Sequence, residues 1–257
     1  VLFALLMVVL LGGMFTLLSL ALCASLVSAG MGWFYFTLMT LLAMLLGIFG
    51  SVFNTYSTLY LSKDNDLLLS LPIPTGAIMA ARLLSVYLMG LMYSSVVILP
   101  AIIVYWCLGE FSPGSVLGSL LLLLSISLLV LVLSCLLGWV VAKVSLKLKN
   151  KSFITVLISL VFFGVYYVFC FRLQYILQDL IANAVVYGKA IQGAAYPLYL
   201  LGQAGAGSYP AMAAVTAVSL ILFGLVWAML SRSFLKIATS SGKTARKEYR
   251  ETRTRRH

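Results

Sequence analysis

A chain of 257 residues that is 63% hydrophobic and 9% charged, with mean hydropathy +1.13, lacks the polar material to cover a soluble globule, where about 25% of residues are charged. Backbone amides inside lipid must be satisfied within helices or a closed barrel, and no stretch alternates apolar and polar residues as a barrel strand does. The expected fold class is therefore all-α, a polytopic integral membrane protein. A net charge of +11 would suggest nucleic acid in a soluble protein, but the confinement of the charge to a few turns and the tail argues against it.

The first 62 residues carry no charge. As one straight helix they would measure roughly 93 Å at 1.5 Å per residue, about three bilayer cores, so the segment has to fold back. Gly30-Met31-Gly32 offers the turn, and Trp33 an interfacial anchor. The first two spans are expected at 1–28 and 33–61. Four more follow at about 78–105, 115–142, 152–171 and 211–231, making one six-helix transmembrane domain over 1–231. Residues 232–257 then form a basic tail or linker. Val1 and the immediate apolar run lack the basic start of a signal peptide, which suggests that the natural beginning is missing.

Basic residues set the orientation. The turns at 29–32, 106–114 and 172–210 hold only Arg172 and Lys189. The other turns and the tail hold Lys63, Arg82, Lys143, Lys147, Lys149, Lys151 and nine more from Arg232 to Arg256, 15 against 2. Both ends and the loops at 62–76 and 143–151 are thus expected in the cytoplasm. Arg82, one turn into the third span, is expected to snorkel to the inner surface.

Residues 172–210 are long for a connection. Leu173, Ile176, Leu177, Leu180 and Ile181 recur at helical spacing among polar residues, as in a helix that lies in the interface or dips into it on the outer face. Tyr187, Tyr196, Tyr199 and Tyr209 suit headgroup depth.

The remaining motifs are mostly structural. Cys23, Cys107, Cys135 and Cys170 fit no metal spacing and read as small packing residues. "SSGKT" at 240–244 mimics a phosphate loop, but the first glycine of that motif would fall at Ile237 and no strand precedes it. No paired carboxylates and no His-Glu-x-x-His lie in the spans, and the sole histidine is His257. No catalytic residue, cofactor-binding residue or metal ligand is therefore assigned. Gly47 and Gly50 read as packing positions, and Ser94, Ser95, Ser125, Ser127 and Ser134 as helix–helix hydrogen bonders. The tail and "KVSLKLKNK" at 143–151 also suit anionic lipid headgroups.

The stretch "SKDNDLLLSLPIPTG" at 62–76 is the exception. Asp64 and Asp66 suit the first turn of a short helix, where free amides favour negative charge. Leu67, Leu68, Leu69 and Leu71 give it an apolar flank, and Pro72 and Pro74 end it sharply. A capped turn and a rigid docking knob both fit these residues.

Residues 60–88, "YLSKDNDLLLSLPIPTGAIMAARLLSVYL", together with Pro100 in "VVILPAIIVYW", resemble the first cytoplasmic loop and third helix of ABC-2 type permeases. The resemblance implies the membrane subunit of an ATP-driven exporter in the bacterial cytoplasmic membrane. It also implies short re-entrant helices between the last two spans. A separate cytoplasmic ABC ATPase, holding the ATP and Mg, would contact Lys63, Asp64, Asn65, Asp66, Leu67, Leu68 and Leu69, with Pro72 and Pro74 fixing the angle. A second permease half, from a longer chain or a second copy, would complete the path, and this chain would itself be no enzyme. The alternatives are a noncatalytic membrane scaffold or assembly factor, and an ion-coupled carrier or channel. A carrier is disfavoured by the near absence of ionisable groups in the spans.

Overall fold

The computed structural model describes residues 2–60, 75–109, 111–147 and 178–254, together with eight helical positions between 160 and 176. The principal helices are α1 (Leu2–Ser28), α2 (Gly32–Thr55), α3 (Thr75–Leu108), α4 (Pro113–Lys147), α5 (Ala184–Ala194), α6 (Tyr196–Gly205) and α7 (Tyr209–Thr254). A π-helical turn, Tyr56–Tyr60, extends α2. Among the described residues, five stretches are long and apolar enough to cross a membrane: Val9–Ser28, Gly32–Val52, Gly76–Leu108, Pro113–Val140 and Tyr209–Ser231. The expected span at 152–171 falls largely outside the described residues. Its described positions Leu160, Gly164, Tyr167, Val168 and Phe171 are helical and exposed.

The turn between α1 and α2 forms where the sequence places it. Gly30 adopts a φ of 71°, its N–H donates to Val27 O at 2.9 Å, and the Met31 N–H donates to Leu26 O at 2.8 Å. This pair of bonds is a Schellman closure, which uses glycine because a left-handed residue with a Cβ is strained. The same closure recurs between α6 and α7. There Gly207 has a φ of 106°, its N–H reaches Ala204 O at 3.3 Å, and the Ser208 N–H reaches Gln203 O at 3.0 Å.

These closures bring residues 29–31 and 206–208, with 109, 111 and 112, to one end of the bundle, called here the turn end. Tyr60, Thr75 and the far end of α4 lie at the other, the loop end. The centre is α2, which packs against α1, α3, α4 and α6; its contact with α3 is the most extensive among the described residues. One buried cluster joins Phe34, Tyr35 and Phe36 with Ile98, Tyr105, Leu122, Leu201 and Met212. A second joins Leu59, Met79, Leu83, Val86, Leu131, Cys135 and Val226 towards the loop end.

Lipid tails are as apolar as leucine, so these helices associate through close fit rather than through escape from water. Small residues supply the fit. A Cβ at Gly47 would lie 2.6 Å from Ser94 Oγ and 2.9 Å from Val130 Cγ2, and one at Gly50 would lie 2.7 Å from the Tyr93 ring. Both glycines are packing positions, as their sequence setting suggests. Gly202 of α6 abuts Thr37 Oγ1 and the Trp33 carbonyl of α2, and Gly118 of α4 abuts the Ala204 carbonyl.

The helix boundaries depart from expectation in three places. The second span ends as a π turn instead of running as regular α-helix to 61. Helix α3 starts at Thr75, ahead of the expected start near 78. Helix α7 passes position 231 without a break and continues to Thr254. The expected change from span to tail is therefore a change of polarity only. Lys, Arg and Glu propagate a helix nearly as well as leucine does, and no proline intervenes.

Two glycine substitutions separate backbone strain from close packing. Gly30→Ala meets no atom within 4 Å, so only the left-handed backbone opposes it, at about 1–2 kcal/mol. Gly202→Ala meets backbone of α2 and is expected to cost more. Thermal unfolding of the two variants in detergent should show the larger loss of melting temperature for Gly202→Ala.

Candidate functional site

The nine positions singled out by sequence, Lys63, Asp64, Asn65, Asp66, Leu67, Leu68, Leu69, Pro72 and Pro74, lie outside the described residues. What the structure does define is the frame that holds this loop. It leaves the π turn at Tyr60 and returns at Thr75, joining α2 to α3 at the loop end. The loop is thus strung between the two helices with the most extensive mutual contact.

That helix pair, with α1 and α4, is stitched by buried hydroxyls. The Tyr35 hydroxyl of α2 donates to the Ala101 carbonyl of α3 at 2.9 Å and is also bonded to Ser19 Oγ of α1. A phenol has one proton to give, so Ser19 donates to Tyr35 and three helices meet at one oxygen. Ser51 and Ser134 join α2 to α4 at 2.5 Å. Ser51 spends its proton on Gly47 O at 2.7 Å, which makes Ser134 the donor between them. Towards the turn end, the Thr37 hydroxyl shares its one proton between Trp33 O at 2.9 Å and Leu198 O of α6 at 3.2 Å.

These bonds refine the reading of the span serines. Ser134 bonds across helices as expected, and Ser94 reaches Ala43 O at 3.5 Å. Ser95 and Ser127 instead bond back to Met92 O and Leu123 O of their own helices. Tyr35 was missed because nothing in its local sequence separates it from the other tyrosines read as headgroup anchors. It is fully buried, stacked on Tyr105 at 6.0 Å and edge-on to Phe36 at 5.4 Å.

Arg82 also departs from expectation. It is only 8% exposed, on the same face of α3 as Ile78, Met79 and Val86, which pack into the cluster with Leu59 and Cys135. Snorkelling requires a face open to the interface, and the π turn and α4 close this one. An arginine within a span that faces the bundle interior is costly to keep there, which makes Arg82 a candidate functional residue.

At the turn end, the exposed Asp179 carboxylate accepts hydrogen bonds from Asn183 Nδ2 at 2.8 Å and from the Tyr187 hydroxyl at 2.6 Å. The carboxylate beside it raises the Tyr187 phenol above its ordinary pKa. Trp33 and Tyr199 pack edge-on at 4.8 Å, tying α6 to α2. No group of three or more metal-ligating side chains occurs among the described residues.

The helices, spans and buried hydroxyl bonds define a multi-span, all-helical membrane protein. The match to known families narrows this further: the chain belongs to the family described as "membrane protein of 12 TMs", which matches residues 2–256. No curated protein and no solved structure matches the chain. The family found is not that of the ABC-2 permeases, so that resemblance is corrected. Its supporting features have general physical causes. Acidic residues favour any helix N-terminus, prolines end any helix, and basic residues collect on one side of any polytopic protein.

A double-mutant cycle tests the hydroxyl stitching. Ser51→Ala, Ser134→Ala and their combination should give a coupling of about 0.6 kcal/mol, and no more than about 1.7, as between other membrane helices. The readout is unfolding in mixed micelles. Additive single losses would mean that the two hydroxyls do not cooperate.

Proposed function

We propose that this chain is a transport subunit of a cell membrane and lines part of a substrate path without doing chemistry of its own. A partner subunit would supply the energy at the loop formed by residues 62–76. The observation that carries this reading is mechanical: that loop joins α2 to α3, the most closely associated pair of helices, and both are fastened to their neighbours by buried side-chain bonds. A force applied there reaches the bundle through stiff helices instead of being absorbed in a flexible connection.

The family description counts twelve spans, while the described residues contain five candidates. Under this reading a second set of spans faces this one and the path runs between the two sets. Helix α1, which is apolar around its circumference and heavily exposed, supports such a pairing. Short α5 and α6 act as a cap at the turn end, dipping between the spans, since Gly205 packs on Phe36 and Leu122. Positive-inside bias puts the loop end and both chain termini in the cytoplasm and the cap outside, with a bacterial cytoplasmic membrane as the setting.

The energy source consistent with this is a soluble ATPase carrying its own ATP and Mg, seated on Asp64, Asp66 and the leucines beside them. Purification of the full chain from its native membrane in mild detergent should bring down such an ATPase. Asp64→Lys with Asp66→Lys should reduce its recovery at least tenfold, since like charges placed across an interface cost several kcal/mol and about 1.4 kcal/mol already gives tenfold. Undiminished recovery in the double variant would remove the docking role, and a chain that carries no ATPase would point to a membrane scaffold.

A further inference from the structure

Helix α6 rests on the first turns of α2 and is set off from its chain neighbours on both sides. Ala195, between α5 and α6, has φ −128° and ψ 51°, and Gly207, ahead of α7, has a φ of 106°. Element-terminal residues of this kind are where hinges absorb changes of backbone angle. Helix α5 is exposed along most of its length, with Ala184 and Gly188 as its buried positions, so it can follow α6.

The contact between α6 and α2 is made largely by glycine. At Gly202 nothing stands between the backbone of α6 and the Thr37 hydroxyl or the Trp33 carbonyl, and at Gly205 nothing stands between it and the Phe36 ring. Side-chain ridges seated in grooves hold two helices in one register. A face without side chains gives closeness but little register. A hydrogen bond marks the register instead, from Thr37 to Leu198 O at 3.2 Å, and Thr37 shares that proton with Trp33 O of its own helix.

Thr40 is the residue this arrangement leaves unused. It is fully buried, and its hydroxyl has no hydrogen-bond partner. Thr16, Thr37, Thr55 and Thr216 each donate to the carbonyl four residues back, at 2.7–2.9 Å. Thr40 does not donate to Phe36 O in the same way. A polar group buried in the membrane without a partner is costly. Residues three and four apart share a helix face, so Thr40 continues the face of Phe36 and Thr37, both of which touch α6. It lies about 4.5 Å beyond Thr37 along α2, away from the turn end.

We propose that α6 has two registers on α2. In the one seen here, Leu198 O sits on Thr37 and Thr40 is unpaired. In the other, about 4.5 Å deeper, the same carbonyl accepts from Thr40. That step leaves no hydroxyl orphaned, because Thr37 keeps its bond to Trp33 O. Packed helices change between discrete arrangements, and steps of about one turn are among them. The inference rests on the α2–α6 contact alone. Under the transport reading above, the same step opens and closes the turn end of the path.

The test uses the full chain in lipid nanodiscs, with one spin label at the exposed Cys107 of α3 and one at Gln192→Cys of α5, the other native cysteines being replaced by alanine. Double electron–electron resonance should give two separate distances. Thr40→Val should lower the share of the second about threefold and Thr37→Val should raise it about threefold, the change that one membrane hydrogen bond of about 0.6 kcal/mol produces. Thr40→Ser, which keeps the donor, should hold the wild-type ratio. A single, unchanged distance in both the wild-type and the Thr37→Val chains would overturn the proposal. So would equal shifts for Thr40→Ser and Thr40→Val, which would make the effect one of packing. No transport is read, so failure here and failure of the transport reading are told apart.

Discussion

In hydrocarbon a backbone amide has no water to bond, so each segment of this chain that crosses the membrane has to close its hydrogen bonds within itself. The rest of the structure follows from that constraint. It makes the spans helices, and it leaves little to hold one helix against another, because their leucines gain nothing by exchanging lipid for each other. Cohesion falls to two kinds of residue. Glycines at positions 47, 50, 118, 202 and 205 let helices approach closely, and a few hydroxyls bond across the gap.

Both kinds converge on α2. Its glycines face α3 and α4, its Tyr35 gathers α1 and α3, and its Thr37 reaches α6. At its far end the regular helix gives way to a π turn just before the loop. Single π turns within helices are frequently found at functional sites, and this one packs against the face of α3 that carries Arg82. The buried cation, the irregular turn and the emerging loop thus sit at one end of the two helices with the closest association. That concentration, and not any constellation of reactive groups, is the ground on which the loop end is proposed as the working end.

How much of this was legible beforehand varies with the type of signal. The Gly30 turn could be read because a charge-free run of that length has to fold back and only glycine accommodates the closure cheaply. The packing role of Gly47 and Gly50 was also accessible. Arg82 was misjudged because its position along the span suggested an interfacial side chain, and one-dimensional position carries no information about which way a helix is rotated. The resemblance of residues 60–88 to another permease family failed for a related reason. Charge, leucine run and prolines reflect how any inner turn between spans is built, so they say little about descent.

The sequence alone determined that this is a helical membrane protein, where five of its apolar spans lie and which turns carry positive charge, because hydropathy and charge are properties of each residue in its own place. The tertiary structure decided which faces meet. It put Tyr35 at the junction of three helices, seated α6 against α2 and α4, closed the surroundings of Arg82 and carried α7 straight through the end of its span. Helices that are apolar on every side display no stripe to mark the buried face. Their rotation is settled only by the fit of neighbouring side chains, which no local reading of the chain contains.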